Sequence, residues 1–312
     1  MTESLTVQIL FEDLVNRLQL VWLAGKSGAE RSFVQNSTAR GNPGLVGHFN
    51  LIHANQVQVL GRTELTYLSN LRPNWRQDAY QQLVEGDPVV ILLADECEPP
   101  NEILSLADRH QVPLLQSPVS SNELINDLRY YFTHKLADRV TLHGVFMEVL
   151  SIGVLLTGES GVGKSELALE LITRGHRLVA DDAPEFARIA PDIINGTCPA
   201  LIQDFLEVRG LGVLNIRAMY GDSVIKKSKY LRLIIHLKHA RPNDNTPFED
   251  RLKDQQQSRN ILGLDIPVFT LPVAPGRNLA VLVEAAVRNH LLRLNGYNAG
   301  EDLGARQRRL MG

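Results

Sequence analysis

The sequence predicts an α/β fold in two domains, and three observations carry that reading. Strand-like and helix-like segments alternate along most of the chain. A short apolar run, a glycine-rich loop and an amphipathic segment follow one another at 153–175, in the order strand, loop, helix. The 312 residues exceed what one hydrophobic core usually supports, so two cores are expected, with domains at 1–133 and 134–312.

In the first half, Ile9, Leu10, Leu14 and Leu18 recur at helical spacing and predict a helix over Val7–Leu18. Short strands are expected at 20–24, 56–60 and 112–115, and the unbroken apolar run at 89–93 reads as the clearest buried strand, with parallel pairing. Residues 95–100 read as a loop and Asn101–Arg109 as a helix. A further helix at 122–132 follows Pro118 and Ser121, and its run of Tyr130, Tyr131 and Phe132 is expected to pack against the next domain. Glu64, Asp95 and Glu96 read as solvated loop or helix-end carboxylates, and His48, His53 and His110 lack metal-ligand partners at useful spacing. No chemistry is assigned to this half.

The second half opens with a strand-like segment at 141–149 carrying a lone His143, which spacing alone reads as a structural histidine. The apolar run at 153–157 then feeds GESGVGKS at 158–165, a match to the phosphate-loop pattern G-x-x-x-x-G-K-[ST]. Gly158, Gly161 and Gly163 let the backbone turn tightly, so that the loop through Glu159, Ser160 and Val162 aims N–H groups at phosphate oxygens. Lys164 adds a mobile positive charge, and Ser165 offers its hydroxyl to Mg²⁺ at a helix N-terminus whose dipole favours anions. Leu167, Ala168, Leu171 and Ile172 form one face of that helix, which Arg174 and Gly175 close. The stretch predicts a bound nucleoside triphosphate.

A strand at 176–180 ends in Asp181 and Asp182, at the edge of an open parallel sheet where ligands bind. Such a pair can hold Mg²⁺, or one member can take a proton from an attacking hydroxyl; the residues alone leave both open. Residues 206–215 read as a glycine-bearing loop in which Gly210 and Gly212 permit close backbone approach, Glu207 is a candidate Mg²⁺ ligand and Arg209 a candidate phosphate partner. It is no dinucleotide fingerprint, because the third glycine is missing and the segment before it is a poor strand. A last helix at 278–294 is apolar through Leu279, Val281, Leu282, Ala285, Ala286 and Leu292, and the basic tail at 304–312 is expected to be flexible.

Composition narrows the function further. A net charge of −3 with no basic block argues against a nucleic-acid partner. Cys97 and Cys198, one in each half, read as unpaired thiols of a reducing compartment. The N-terminus MTESLTVQIL is unlike a signal peptide, and the longest apolar stretch, 88–94, is too short to span a bilayer, so a cytoplasmic protein with no membrane partner is expected.

The blocks GESGVGKSELALELITRGHRLVADD at 158–182, LEVRGLGVLNI at 206–216 and PVAPGRNLAVLVEAA at 272–286 occur in an order that resembles the HPr kinase/phosphorylase family of bacteria. QVLGRTE at 58–64 and VPLLQSP at 112–118 extend the resemblance over essentially the whole chain. It implies an N-terminal α/β domain joined to a phosphate-loop kinase domain related to phosphoenolpyruvate carboxykinase. That domain would use ATP and Mg²⁺ to phosphorylate a serine of the phosphocarrier HPr, and inorganic phosphate to remove that phosphate as pyrophosphate.

On matching residues the resemblance makes Lys164 the phosphate-neutralising group, Ser165 and Glu207 the metal ligands, and Asp182 the proton acceptor, assisted by Asp181. His143 and Arg251 match active-site positions, and Pro272, Pro275, Gly276 and Arg277 belong to a segment tied to the phosphorylase direction. Family members often carry a basic residue within PVxPGRN where this chain has Ala274, which leaves Arg277 the only charge there and predicts weakened phosphate affinity. A homohexamer, with HPr bound across neighbouring C-terminal domains, is also implied. The alternatives are a kinase-only variant and a small-molecule phosphate-loop kinase; a guanine-nucleotide switch is disfavoured because no N-K-x-D motif occurs.

Overall fold

The structure is a computed structural model describing residues 4–34, 44–50, 55–239 and 257–311. The chain divides into two compact units, Met1–Leu136 and Ala137–Gly312.

The N-terminal unit follows the order α1 (Val7–Leu18), β1 (Val21–Ala24), β2 (Gly44–His48), β3 (Asn55–Leu60), α2 (Arg62–Ser69), α3 (Pro73–Glu85), β4 (Val90–Leu93), α4 (Asn101–Arg109), β5 (Leu114–Gln116) and α5 (Ser121–Lys135). Its five-stranded sheet is ordered β1-β5-β4-β3-β2, with β2 to β5 parallel and β1 antiparallel at the edge. Strand β4 shows why its sequence is a continuous apolar run. Val90 and Leu92 enter a core with Leu10 and Leu14 of α1 and Leu124 and Leu128 of α5, while Ile91 and Leu93 enter a second core with Leu83 of α3 and Ile103 of α4. Helices on both faces make this a doubly wound unit.

One reading of this half is corrected, and two of the carboxylates take the helix-end places expected of them. Tyr131 and Phe132 pack into their own unit's core beside α1, and Tyr130 is exposed. Glu64 accepts the Gly61 N–H at 2.9 Å, closing the first turn of α2, and pairs with His48 Nδ1 at 3.3 Å. Asp95 caps two helices at once: its Oδ2 accepts the Arg62 N–H of α2 at 2.9 Å and its Oδ1 the Ser121 N–H of α5 at 3.2 Å. Asp95→Ala is therefore expected to destabilise the protein by about 2 kcal/mol, since each lost cap costs about 1. Urea unfolding measures it, and an unchanged midpoint would show that water replaces the carboxylate. His53 lies outside the described residues.

The C-terminal unit continues with β6 (Arg139–Thr141), β7 (Val145–Val149), β8 (Ile152–Gly158), α6 (Lys164–Thr173), β9 (Arg177–Ala180), β10 (Glu185–Ala190), β11 (Ile193–Thr197), β12 (Phe205–Val208), β13 (Gly212–Asn215), α7 (Ile216–Tyr220), β14 (Ser228–His239), β15 (Gln257–Ile261), β16 (Leu264–Val273), α8 (Leu279–Leu294) and α9 (Ala299–Met311). Its main sheet runs β6-β10-β11-β14-β8-β7-β9, with β16 also on β14 and β15 on β16. The sheet is mixed and not the expected open parallel one: β7 is antiparallel to both β8 and β9. The functional consequence of the parallel reading survives, because β8, β9, β14 and β16 all point the same way and deliver their carboxyl ends to one edge.

One face of the central strands, through Val154, Leu156, Leu233 and Ile235, packs on Leu167 and Leu171 of α6 and Val283 and Val287 of α8. The other face, through Phe146, Leu155 and Ile234, packs on Phe186 and Ile194 of the outer strands. The buried stripe of α8 is Ala280, Val283, Ala286, Val287 and His290, whereas Val281 and Leu292 are exposed. The tail expected to be flexible is the helix α9, whose Arg306 bonds Asp302 one turn back at 2.8 Å.

Candidate active site

The turn between β8 and α6 wraps around its own backbone. Gly158, Gly161 and Gly163 sit at φ +145°, +80° and +97°, and a Cβ on Gly158 would lie 2.5 Å from the Leu237 carbonyl oxygen of β14. The Val162 side chain is buried in the helix-side core and its N–H bonds the Glu159 carbonyl at 3.3 Å, so Val162 anchors the loop. The Lys164 ammonium folds back to donate to the carbonyls of Gly158 at 3.1 Å and Glu159 at 3.0 Å, which holds a positive charge over the loop mouth.

Strand β9 carries Asp181 and Asp182 to the same edge. Asp181 is buried and its Oδ2 accepts the Glu207 N–H at 2.9 Å, so it fixes β12 beside the loop; burial raises its pKa, opposed by the hydrogen bonds it accepts. Asp182 turns out of the strand in the left-handed region at φ +64°, which exposes its carboxylate, and its carbonyl accepts the Gly144 N–H at 3.1 Å. That bond joins it to the turn before β7, where His143 Nδ1 lies 2.9 Å from Asp182 Oδ1. The His143 ring is thus exposed at the mouth of the cleft and is not packed into the core.

The segment read as a glycine-bearing loop at 206–215 is a hairpin, β12 paired antiparallel with β13. Alternation along β12 buries Leu206 and Val208 and turns Glu207 outward into the cleft. Gly210 and Gly212 form its tip at φ +86° and +84°, and Arg209 reaches back until its Nη1 lies 3.0 Å from where a Gly161 Cβ would stand. Together, His143, Ser160, Gly161, Gly163, Lys164, Ser165, Asp181, Asp182, Glu207 and Arg209 line one cleft of about 380 Å³. Gly144 and Glu166 also line it and escaped the sequence reading; the place of Glu166 directly after Ser165 was the available signal.

Pro272, Pro275, Gly276 and Arg277 do not line this cleft. They leave the sheet at the same edge, because Leu237 of β14 pairs with Gly158 on one side and Leu271 of β16 on the other. Arg251 lies outside the described residues.

A clamp that spacing could not reveal ties α6 to α8. Glu284 accepts from Arg174 Nε at 2.9 Å and Nη2 at 2.6 Å, and its Oε1 lies 3.0 Å from His176 Nε2. The Arg174 contacts pull the Glu284 carboxyl down to about 2. A depressed folded-state pKa gives stability that is present above the ordinary carboxylate pKa and lost as pH falls toward 2. Glu284→Gln should lower the Tm at neutral pH, and the gap to the native protein should narrow as the pH drops below about 4.5. A gap independent of pH would show that the clamp acts through shape alone.

Comparison with known proteins places this geometry. Residues 5–132 match the family model HPr Serine kinase N terminus, and residues 134–307 match HPr Serine kinase C-terminal domain. Relatives described as HPr kinase/phosphorylase from Xylella fastidiosa strain M12 and Stenotrophomonas maltophilia strain K279a are 49% and 50% identical, each over 100% of this chain and 98% of theirs. A solved structure of the Hpr(Ser) kinase/phosphatase from Coxiella burnetii aligns with 53% of this chain and 98% of its own, at 34% identity and a TM-score of 0.47. With both domain models matched in order and half the residues shared over full length, the chain belongs to the HPr kinase/phosphorylase family.

Proposed function

We propose that this chain transfers the γ-phosphoryl group of ATP to a seryl hydroxyl of HPr, and that the same cleft dephosphorylates seryl-phosphorylated HPr with inorganic phosphate, releasing pyrophosphate. The observation that carries the reading is the His143–Asp182 pair at 2.9 Å in the cleft that also holds the phosphate loop. Both partners are well exposed, so as an ion pair it contributes little to stability, and its value lies in presenting a carboxylate to an incoming hydroxyl.

In the forward direction the seryl oxygen attacks the γ-phosphorus, the bond to the bridging β–γ oxygen breaks, and the seryl proton passes to Asp182. Lys164 and Arg209 receive the phosphate charge, with the N–H groups at the start of α6 below them. Among the described residues no three His, Cys, Asp or Glu side chains cluster as a metal cage. The donor set suits Mg²⁺, which binds through one or two protein oxygens together with substrate phosphates. Ser165 and Glu207 would hold it, and it would offset charge on the β- and γ-phosphates when bound. In reverse, an oxygen of inorganic phosphate attacks the phosphoserine phosphorus and protonated Asp182 gives its proton to the departing seryl oxygen, as microscopic reversibility requires.

Arg277 is exposed beyond the end of β16, and its N–H bonds the Ala274 carbonyl at 3.3 Å, which places the two side by side. Ala274→Lys should therefore lower the phosphate concentration needed for half-maximal dephosphorylation, by about fivefold if one more charge adds about 1 kcal/mol. An unchanged half-saturation would remove this segment from phosphate binding. No described helix is long and apolar enough to cross a membrane. Leu201, Leu211, Val213 and Met219 stand exposed around the catalytic hairpin and support a protein partner or a further copy of the chain at this edge, as a homohexamer would require. The test of substrate is peptide mapping of HPr after incubation with ATP and Mg²⁺: a single phosphoserine supports the assignment, and unmodified HPr with ATP consumed would favour a small-molecule kinase.

A further inference from the structure

The N-terminal unit holds a cleft of about 440 Å³ that shares no lining residue with the catalytic cleft. It lies beyond the carboxyl ends of β3 and β4, where open α/β sheets take ligands, and its size suits a small molecule. One wall is the face of α2 carrying Arg62, Leu65, Thr66 and Ser69. Facing it are Arg76 and Tyr80 of α3 and the segment after β4 with Cys97, Glu98 and Glu102.

Tyr80 gives the cleft its meaning. Its side chain is 1% exposed, and its hydroxyl, which bonds no described residue, opens to the cleft. A buried phenol usually finds a partner, and one left open toward a cleft marks where a ligand oxygen belongs. The charges narrow the ligand. Arg76 is neutralised by Glu102 at 3.0 Å, whereas the Arg62 guanidinium contacts the Asp95 carbonyl at 3.4 Å and the Cys97 thiol, with no carboxylate within salt-bridge distance among the described residues. One guanidinium without a carboxylate partner among the described residues suits one carboxylate, and the exposed Glu98 at the rim opposes a polyanion. Thr66, Ser69 and Tyr80 supply hydroxyls for a hydroxylated body.

We infer that this cleft binds a small hydroxy-carboxylate, its single negative charge on Arg62 and a hydroxyl on Tyr80. Cys97 on the wall reports occupancy, and Cys198, outside the cleft, is an internal reference in the same chain. The full-length protein is treated with N-ethylmaleimide, with and without the probes glycerate and gluconate, and each cysteine is followed by peptide mass. The expected result is that one of the probes, at about 10 mM, slows modification of Cys97 about fivefold and leaves Cys198 unchanged, the concentration reflecting the millimolar affinity of so small a ligand. Acetate, with charge alone, and glycerol, with hydroxyls alone, should each protect less than about twofold. Arg62→Gln and Tyr80→Phe should abolish protection, and Tyr80→Phe should keep the native Tm because its hydroxyl bonds nothing in the protein. Absence of protection by either probe, equal protection by acetate, equal slowing of Cys198, or protection surviving in Tyr80→Phe would each overturn the inference.

Discussion

Asp182→Asn is expected to lower phosphorylation and dephosphorylation of HPr together, each by about 10² to 10⁴, the range a positioned acid/base group contributes. Asparagine suits the test because it keeps the size of the side chain and tolerates the left-handed backbone at φ +64°. The Asp182 carbonyl that accepts from Gly144 is a backbone group and stays in place. Folding should be nearly unaffected, since the carboxylate is exposed and its pairing with His143 adds little. ATP binding should likewise persist, because the phosphate loop is untouched. Loss of one direction only would mean that the two reactions use different proton carriers, and unchanged turnover in both would move the role to Asp181. The structure makes Asp181 the weaker candidate: it is buried and already engaged with the Glu207 N–H at 2.9 Å.

Lys164→Met is expected to cost about 10² to 10³ in both directions, the loss measured when one preorganised donor to a developing charge is removed. Unlike Asp182→Asn, it should also weaken binding of ATP and of inorganic phosphate. Methionine keeps most of the length while deleting the ammonium that now spans the Gly158 and Glu159 carbonyls. Lys164→Arg should restore little, because a planar fork cannot replace a compact charge between two carbonyls. Isothermal titration with a non-hydrolysable ATP analogue separates the outcomes. Unchanged affinity with unchanged turnover would remove Lys164 from the phosphate site.

What the sequence revealed and what it hid divide along a physical line. The phosphate loop was legible because its glycines answer a local backbone demand, and β4 because burial on both faces forces an apolar run. The strand β2, reading GLVGH, and the polar helices α2 and α3 carry too little apolar pattern to be seen. The hairpin of β12 and β13 reads as a loop because both ends of β13 are glycine or exposed and only one side of β12 is buried. Pairings between distant residues left no trace in spacing. Asp95 capping two helices, His143 meeting Asp182 and Glu284 clamping Arg174 are all products of topology. For His143, which lines the cleft, the pointer to that edge came from the family resemblance and not from spacing.

The central claim is that one cleft runs phosphoryl transfer both ways, with Asp182 handling the same seryl proton. It is tested most directly by intact-mass measurement of HPr in two stages: first with this protein, ATP and Mg²⁺, then, after nucleotide removal, with inorganic phosphate and a pyrophosphate assay. The account predicts a gain of one phosphate on serine, then its loss with one pyrophosphate formed for each serine freed, and neither step with Asp182→Asn. Dephosphorylation that proceeds without added phosphate, or that yields no pyrophosphate, would contradict it.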